Sequence, residues 1–366
     1  MGLDNIGPID RSHLPPGWVL EQSDSTGWMA GYAASMAAMA AILHRSGRRP
    51  ADDLVLKFLE HFAAIRNALD SADLWDDADG MFHDRLRLPD GRSEPVRVHS
   101  MVSMIPMLAG GVVGEESLGG SLTVGKQYAR FLDRHGVTGL DDLVTAGLLR
   151  GAPGRRSLLV AVVSVARVRR LLTALFDENE FLSPHGLRSL SARHRDQPAV
   201  LAVDTVRATV DYEPAEATVA MFGGNSNWRG PVWFPINYLM VSALERYHHF
   251  YGDDLEIEYP TGSGRTMSLG QIAADISERL VTTFLRGPDG HRPCFGGTVK
   301  FQEDPRWGDH LLFHEYFHGD NGAGLGASHQ TGWTGLVADV IRRRHGAVSS
   351  TSDVLQRLIT DASQEG

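Results

Sequence analysis

The chain has 366 residues, 42% of them hydrophobic, so it can form one large domain or two ordinary ones around a substantial core. Its net charge of −10 and isoelectric point near 5.9 exclude the basic face that meets phosphates, so no nucleic-acid partner is expected. A single cysteine, Cys294, excludes an intramolecular disulfide and a cysteine-based zinc site. Without a signal peptide or an 18-residue apolar run, the sequence predicts a cytoplasmic protein with no membrane partner.

Helical periodicity begins near residue 24. The first predicted helix is capped by Ser23 or Asp24 and ends before Gly47 and Pro50. Its large side chains recur at three- and four-residue spacing, which is typical of a face buried in a core, and its small residues permit close helix packing. The large residues are Trp28, Met29, Tyr32, Met36, Met39 and Leu43, and the small ones are Ala33, Ala34, Ala37 and Ala38.

Further helices are predicted along the rest of the chain, whereas strand signals are few and short. The apolar run 158–165 fits a strand or a buried helix, and periodicity does not decide between them. No compositional shift marks a linker, so we expect one all-α domain over 1–366, with functional loops on one side. The further helices are predicted at 51–69, 100–113, 121–135, 156–176, 231–252, 268–285, 330–344 and 352–362.

Two loops stand out by composition. The acidic, aromatic segment 75–84, which starts at Trp75, fits either a solvated turn or a platform for a sugar ring. The segment 314–333 combines carboxylates, three histidines and three aromatic residues with five glycines. Because glycine adds no packing and loses much entropy on folding, this density indicates backbone that bends tightly or approaches a small polar ligand closely. The alternative for 314–333 is a glycine-rich surface loop.

One chemical interpretation comes from residues 314–318, which fit the zinc-protease pattern H-E-x-x-H. On a helix, His314 and His318 would share a metal and Glu315 would act as the base. The glycines at 319 and 322 would end any helix directly after His318, and no third ligand follows at the spacing of the extended motif. We therefore expect no metal between these two histidines.

A second interpretation is glycoside hydrolysis, which needs one protonated and one ionised carboxyl group and aromatic faces for sugar rings. Gly-rich segments near the two ends of the chain supply Asp4 and Glu315 as candidates. Composition and spacing alone do not favour Asp4 over Asp24 or Asp320. Tryptophans in or beside the loops supply candidate faces: Trp28, Trp75, Trp228, Trp233 and Trp333.

Four segments of the chain resemble glycoside hydrolase family 63, which includes processing α-glucosidases and bacterial mannosylglycerate and glucosylglycerate hydrolases. The resemblance implies an (α/α)6 toroid that hydrolyses α-linked glucosides or mannosides with inversion of configuration, without a catalytic metal or a cofactor. The segments are Gly2 to Gly7 (GLDNIG), Leu20 to Met29 (LEQSDSTGWM), Gly223 to Trp233 (GGNSNWRGPVW) and Glu315 to Trp333.

The same resemblance implies roles for single residues. Asp4, in the Gly-x-Asp-Asn segment, corresponds to the general acid, and Glu315, in the Glu-Tyr-Phe-His segment, corresponds to the general base. Arg229 would bind sugar hydroxyls or orient a carboxylate, and Asp24 would be a helix cap or a pocket residue. Further contacts to the sugar are expected from Trp28, Trp228, Trp233, Asp320, His329, Gln330 and Trp333.

The chain departs from the family at its start, because family members carry early toroid helices before the Gly-x-Asp-Asn segment. A toroid closes its last helices on its first, so we expect exposed apolar faces unless a separate chain supplies the missing part. Asp4 would then lie at a frayed terminus. A third interpretation is therefore a truncated, non-catalytic fragment with a sugar-binding surface. The expected partners are a small carbohydrate and that missing N-terminal part.

Overall fold

The computed structural model describes residues 3–45, 51–114, 149–151, 156–219 and 227–345. Eight α-helices form the framework of this part of the chain. They are α1 (Ser23–Arg45), α2 (Asp52–Ser71), α3 (Ile105–Leu108), α4 (Val165–Leu175), α5 (Phe234–Tyr251), α6 (Leu269–Thr282), α7 (Val299–Glu303) and α8 (Val337–His345). Short 3-10 helices cover Asp4–Ile6, Met101–Ser103, Ala192–Arg195, Gly252–Asp254, Pro293–Phe295 and Thr334–Leu336.

The prediction of a helical framework is confirmed for the long helices, which pack in pairs. The predicted helices at 24–46, 51–69 and 268–285 correspond to α1, α2 and α6, with α1 packed on α2 and α5 packed on α6. Ser268 caps α6 through a capping box with Gln271, which satisfies two otherwise unpaired backbone N–H groups. The helices predicted at 121–135 and 352–362 lie outside the described residues.

Two predicted helix starts were wrong by several residues. The helix predicted from 231 begins at Phe234, because Val232 pairs in extended conformation with Arg188 and Phe317. Pro235 therefore lies in the first turn of α5, rather than Pro231. The helix predicted at 330–344 starts as the 3-10 turn Thr334–Leu336, which leads into α8.

Helix α1 buries the opposite face from the one predicted. Its small residues Ala30, Ala33, Ala37 and Ala40 are buried, whereas Met29, Tyr32, Met39 and Leu43 are between 45% and 59% exposed. The small face is buried because it lets the α1 backbone approach α3 closely: a Cβ added at Gly27 would lie 2.8 Å from the Pro106 nitrogen. By length and composition, Ser23–His44 is also the one helix of the described residues that could cross a membrane, a test that core helices of soluble proteins pass as well.

Two predicted helices contain strands instead. Residues 100–113 form the two short helical turns Met101–Ser103 and α3, followed by a strand, Gly110–Gly114. That strand pairs with Ser157–Ala161, so the ambiguous run at 158–165 is a strand as far as Ala161, and α4 begins only at Val165. Gly110 makes the pairing possible: its φ is +149°, and a Cβ there would lie 2.4 Å from the Val160 carbonyl oxygen.

Short antiparallel strand pairs join the helices, so the described residues depart from an all-α composition. One three-stranded sheet is formed by residues 19–21, 84–87 and 93–96, another by residues 110–114, 157–161 and 149–150, and the other strands pair in twos. A loop that folds back as a hairpin pairs its own backbone N–H and C=O groups. The strand propensity of these loops is weak, so the sequence did not predict the hairpins. The sixteen described strands are β1 (Val19–Glu21), β2 (Trp75–Asp76), β3 (Met81–Phe82), β4 (Asp84–Arg87), β5 (Ser93–Val96), β6 (Gly110–Gly114), β7 (Leu149–Arg150), β8 (Ser157–Ala161), β9 (Leu182–Ser183), β10 (Gly186–Leu187), β11 (Ala199–Val203), β12 (Val206–Val210), β13 (Glu256–Glu258), β14 (Thr266–Ser268), β15 (Tyr316–Phe317) and β16 (Gly324–Leu325).

The largest apolar cluster of the described residues lies beneath the loops that carry the candidate residues. Leu3 and Ile6 from the N-terminal segment, Trp233 from the start of α5, and Phe317 from β15 all lie in that core. The Val232 and Phe317 backbones exchange two hydrogen bonds of 2.8 and 3.0 Å. The core therefore brings the N-terminal segment, the 227–234 loop and the β15–β16 hairpin together.

Candidate active site

The N-terminal segment is fastened to the 227–229 loop by buried polar groups. Asn5 is fully buried: its side-chain oxygen accepts a hydrogen bond from Trp228 N at 2.7 Å, and its amide donates to Asn227 Oδ1 at 3.2 Å. Arg229 Nε donates to the Asn5 carbonyl at 2.7 Å, and Arg229 Nη2 donates to the Gly7 carbonyl at 3.3 Å. Asp4 begins the 3-10 turn next to these contacts.

Arg229 is thus a buried structural cation. Its remaining Nη1 lies 3.5 Å from Glu213 Oε1, and its own amide donates to Asn227 Oδ1 at 2.9 Å. Both side chains of the Arg229–Glu213 pair are largely buried. A buried cation costs much free energy unless every donor finds an acceptor. The contacts of Arg229 supply those acceptors and so fix the backbone on either side of Ile6.

A stack of aromatic rings connects this loop to the C-terminal hairpin. Trp228 and Trp233 are parallel, with ring centroids 3.9 Å apart. Trp233 also stacks on Tyr316 at 4.8 Å and meets Trp333 at 5.6 Å. Trp228 and Trp233 are buried, whereas Trp333 is 39% exposed. Of these rings, Trp333 exposes the most surface to solvent.

Glu315 precedes β15 and is held by the opposite side of the hairpin. Its amide donates to the Ala327 carbonyl at 2.7 Å, and its Oε2 accepts from Ala327 N at 3.3 Å. Gly326, with φ +67°, permits this arrangement, because a Cβ there would lie 2.8 Å from Glu315 Oε2. The glycine density of this segment thus allows the backbone to approach the carboxylate closely.

Glu216 is a second carboxylate at this hairpin, and no sequence signal pointed to it. Its Oε2 accepts a hydrogen bond from the Tyr316 hydroxyl at 2.6 Å, and its Oε1 accepts from Gly326 N at 3.4 Å. Burial, the hydrogen bond to Glu216, and the charges of Glu216 and Glu315 together raise the pKa of Tyr316. The hydroxyl of Tyr316 therefore remains a donor at neutral pH.

Asp320 lies in a network of its own. Its Oδ1 accepts from the Tyr212 hydroxyl at 2.8 Å and from Arg188 at 3.1 Å, and its Oδ2 accepts from Arg195 at 2.7 Å. Burial raises the pKa of Asp320, but these three donors outweigh it, so the pKa is lowered. With its oxygens occupied in this way, Asp320 supports the loop and the backbone around Arg188.

Asp24 lies on the other side of the N-terminal segment. It is fully buried in the first turn of α1, where its Oδ1 accepts from Ser25 N at 2.7 Å and its Oδ2 accepts from Arg11 at 2.9 Å. Arg11 also pairs with the buried Asp84 at 3.1 Å. A shallow cleft borders Ile6, Arg11 and Asp84; Glu315 does not line it. Asp24 thus helps to anchor the segment that follows Asp4.

The Arg11 cluster predicts a pH-dependent contribution to stability. Burial raises the pKa of Asp84 from 3.8 to about 6, although the charge of Arg11 opposes this. The folded protein therefore holds this proton more tightly than the unfolded chain, and the associated stability is lost as pH rises through about 6. Urea unfolding at pH 4 and pH 7 measures this effect. The free energy of unfolding of the wild type minus that of Asp84→Asn should be about 1–3 kcal/mol lower at pH 7 than at pH 4.

Asp90→Asn is the control for this experiment. Asp90 is exposed and its pKa is lowered by the Arg92 amide and side chain, so its small contribution should have the opposite sign. Parallel pH profiles for the wild type and Asp84→Asn would contradict a raised pKa at Asp84.

The other residues predicted to contact the sugar are His329, Gln330 and Trp28, and they lie in two different places. His329 is exposed, while the Gln330 amide donates to the Phe313 carbonyl at 2.7 Å. Both precede Trp333 in the loop that faces Trp233. Trp28 is half-buried on α1 and packs against the main core. Direct contacts therefore link Trp228, Arg229, Trp233, Trp333 and the Glu315 hairpin, whereas Asp24 and Trp28 belong to α1.

The H-E-x-x-H segment is extended and not helical. Tyr316 and Phe317 form β15, and the His314 ring packs against Gly324 and the Phe317 ring. The helical spacing that would put His314 and His318 on one face is therefore not present. In the described ranges, no group of three or more His, Cys, Asp or Glu side chains is arranged to hold a metal ion.

The acidic loop at 75–84 has a solvated turn at Asp77 and Ala78, but it does not form an open platform. Trp75 is buried against Phe82, and the guanidinium groups of Arg167 and Arg170 cover its ring at 5.0 and 5.5 Å. Asp79 lies 2.9 Å from His83 Nε2. Charged partners close this loop over the tryptophan, which composition alone did not indicate.

Known sequences are similar to this chain over much of its length. A family profile described as the mannosylglycerate hydrolase MGH1-like glycoside hydrolase domain matches residues 127–334, which include Trp228, Trp233 and Glu315. The chain is 38% identical over 364 residues to the uncharacterized protein YMR196W of Saccharomyces cerevisiae, covering 92% of this chain and 32% of that protein.

Two more distant relatives have names that state an activity. The chain is 26% identical over 180 residues to the probable mannosyl-oligosaccharide glucosidase of Schizosaccharomyces pombe, covering 49% of this chain and 16% of the relative. It is 24% identical over 179 residues to the mannosyl-oligosaccharide glucosidase of Saccharomyces cerevisiae, covering 48% and 15%. The chain thus spans about a third or less of the length of these curated relatives.

Proposed function

We propose that this chain, which belongs to the mannosylglycerate hydrolase MGH1-like family of glycoside hydrolases, hydrolyses α-linked glucosides or mannosides with inversion of configuration. The observation that carries the proposal is that contacts through the 227–234 loop connect the N-terminal segment to the β15–β16 hairpin, which is far away in the sequence. Asn5, beside Asp4, is bonded to the 227–229 loop, and that loop stacks through Trp233 on Tyr316, beside Glu315. Inverting hydrolysis needs two carboxyl groups that face each other across a glycosidic bond.

In this mechanism Asp4 is the general acid and Glu315 is the general base. Asp4 gives its proton to the leaving glycosidic oxygen as the bond to the anomeric carbon breaks. Glu315 takes a proton from a water that attacks that carbon on the opposite face. The products are the free sugar and the aglycone alcohol, and the proton on Glu315 returns to Asp4 through solvent. Carboxyl groups roughly 6.5–9.5 Å apart leave room for that water.

We also propose that the packed pairs α1–α2 and α5–α6 belong to one (α/α)6 toroid that spans the chain. The pairing of these long helices, and the location of the candidate residues in the connections outside them, support this architecture. A helical toroid places such connections at the mouth of its central cavity.

The anomer formed first tests the mechanism. Proton NMR of the chain turning over an α-glucoside or an α-mannoside should show the β-anomer first, with the α-anomer appearing later by mutarotation. Initial release of the α-anomer would exclude inversion, because a retaining enzyme places its two carboxyl groups only about 5–5.5 Å apart and proceeds through a covalent intermediate. Sugar binding without any turnover would support a non-catalytic sugar-binding role instead.

A further inference from the structure

We infer that Thr334 is a positioning residue for Glu315, because its buried hydroxyl fixes the peptide group that leads into the general base. This inference rests on the proposed function, since it concerns the base of the same reaction. Thr334 opens the 3-10 turn Thr334–Leu336, directly after Trp333. It was not among the residues that the sequence singled out.

The first argument is the peptide group that Thr334 contacts. Thr334 Oγ1 donates a hydrogen bond to the His314 carbonyl oxygen. That carbonyl belongs to the same peptide group as the Glu315 amide, which donates to the Ala327 carbonyl at 2.7 Å. A peptide group is planar and includes the Cα of the residue that follows it. Hydrogen bonds at both of its ends therefore fix the direction in which the Glu315 side chain leaves the backbone.

The second argument is that the hydroxyl of Thr334 is itself held in place. Thr334 is fully buried, and its amide donates to the Gln330 carbonyl at 2.9 Å. The Gln330 amide donates in turn to the Phe313 carbonyl at 2.7 Å. A β-branched side chain has few rotamers, so a fixed backbone leaves its hydroxyl little freedom. The turn from Gln330 to Thr334 thus binds the carbonyls of two successive residues, Phe313 and His314, directly before Glu315.

The third argument is that the Glu315 carboxylate depends on the same peptide group. Ala327, whose carbonyl accepts the Glu315 amide, also donates its own amide to Glu315 Oε2 at 3.3 Å. Without the Thr334 hydroxyl, the His314 carbonyl would need another donor and would turn toward water. The Glu315 amide, at the other end of the same plane, would then turn away from Ala327. A displacement of about 1 Å at a catalytic group can lower the rate by about 10²-fold.

The test compares Thr334→Ser with Thr334→Ala, two variants that differ from each other only by the hydroxyl. On a neutral α-glucoside, kcat of Thr334→Ala should be about 10- to 100-fold below that of Thr334→Ser, with KM changing by less than about threefold. Thr334→Ser should retain kcat within about threefold of the wild type, because it keeps the donor. Thermal unfolding shows whether each variant is folded at the assay temperature. Thr334→Val keeps the volume of the side chain and takes the place of Thr334→Ala if the alanine variant does not fold.

Two controls separate positioning from stability. Thr261 Oγ1 donates to the Thr173 carbonyl at 2.7 Å, the same kind of bond outside the candidate site, so Thr261→Ser and Thr261→Ala should have equal kcat. In a Glu315→Gln background, the ratio of kcat between serine and alanine at 334 should fall below about twofold, because Thr334 cannot act through a base that is absent. Equal kcat of Thr334→Ser and Thr334→Ala with Glu315 intact, or a ratio that persists in Glu315→Gln, would overturn the inference while leaving glycoside hydrolysis in place.

Amide hydrogen exchange tests the same bond without turnover. Mass spectrometry of a peptide covering residues 313–318 should show the Glu315 amide exchanging at least about tenfold faster in Thr334→Ala than in Thr334→Ser, with no such difference between the two Thr261 variants. Equal exchange in the two Thr334 variants would refute the inference. Absence of turnover in the wild type would reject the proposed function, whereas faster exchange in Thr334→Ala would still show that Thr334 holds the peptide group before Glu315.

Discussion

Glu315→Gln and Asp4→Asn should each lower kcat on an α-glycoside by about 10²- to 10⁴-fold, the usual contribution of a general acid or base. Glutamine at 315 keeps a side-chain oxygen that can accept the Ala327 N–H, so the β15–β16 hairpin should persist. Neither amide can take or give the proton that the reaction moves. Steady-state kinetics on a neutral α-glucoside would measure both losses, with KM changing far less than kcat.

The matched control for these variants is Glu256→Gln, which makes the same chemical change at an exposed position of β13. It should retain wild-type kcat. Thermal unfolding of all three variants would show whether a loss of rate reflects a loss of fold. Full activity in Asp4→Asn would move the acid role to another carboxyl group, and full activity in Glu315→Gln would reject the assignment of the base.

Arg229→Met should lower the free energy of unfolding by about 3–5 kcal/mol, because removing one member of a buried ion pair leaves the other charge uncompensated. Glu213 would lose its cation, and the carbonyls of Asn5 and Gly7 would lose their donors. The turn that carries Asp4 would then be held mainly by Asn5. We therefore expect kcat to fall as well, since catalytic groups act only in a narrow range of positions.

Chemical denaturation compares this variant with Arg92→Met. Arg92 pairs with Asp90 and Asp204 at the surface, where such pairs contribute at most about 1 kcal/mol. Arg229→Lys offers a second comparison, because it keeps the charge but presents its donors from one nitrogen, without the planar fork that spans both carbonyls and Glu213. Stability in Arg229→Met equal to that of Arg92→Met would show that Arg229 does not hold the N-terminal segment.

Helix α1 illustrates which parts of the fold the sequence could predict. Its existence and both ends followed from a cap, a strong period and the Gly–Pro terminators. Its buried face did not, because two faces of this helix are apolar and hydrophobicity alone favours the larger side chains. Close approach to α3 requires small residues, so the alanine face packs inward while Met29 and Tyr32 remain exposed.

The candidate site divides in the same way. Trp228, Arg229, Trp233 and Glu315 lie in long motifs, so the sequence could single them out. Glu216 could not be found, because its loop has no periodicity and its partners Tyr316 and Gly326 are 100 and 110 residues away. Asp24 was open between a cap and a pocket residue, and only the contact with Arg11 shows its part in a buried ion cluster.

The sequence by itself determined the helical framework and the family, because periodicity, caps and motifs are local properties of the chain. Only the tertiary structure decided which helix face is buried, which loops form hairpins and which charges share a site. These outcomes depend on contacts between residues far apart in the chain, where steric fit and the pairing of buried charges select one arrangement among many with the same local pattern. Arg229 shows the difference: its sequence position left sugar hydroxyls and a carboxylate open as partners, and only the folded chain identifies the Glu213 carboxylate together with the Asn5 and Gly7 carbonyls.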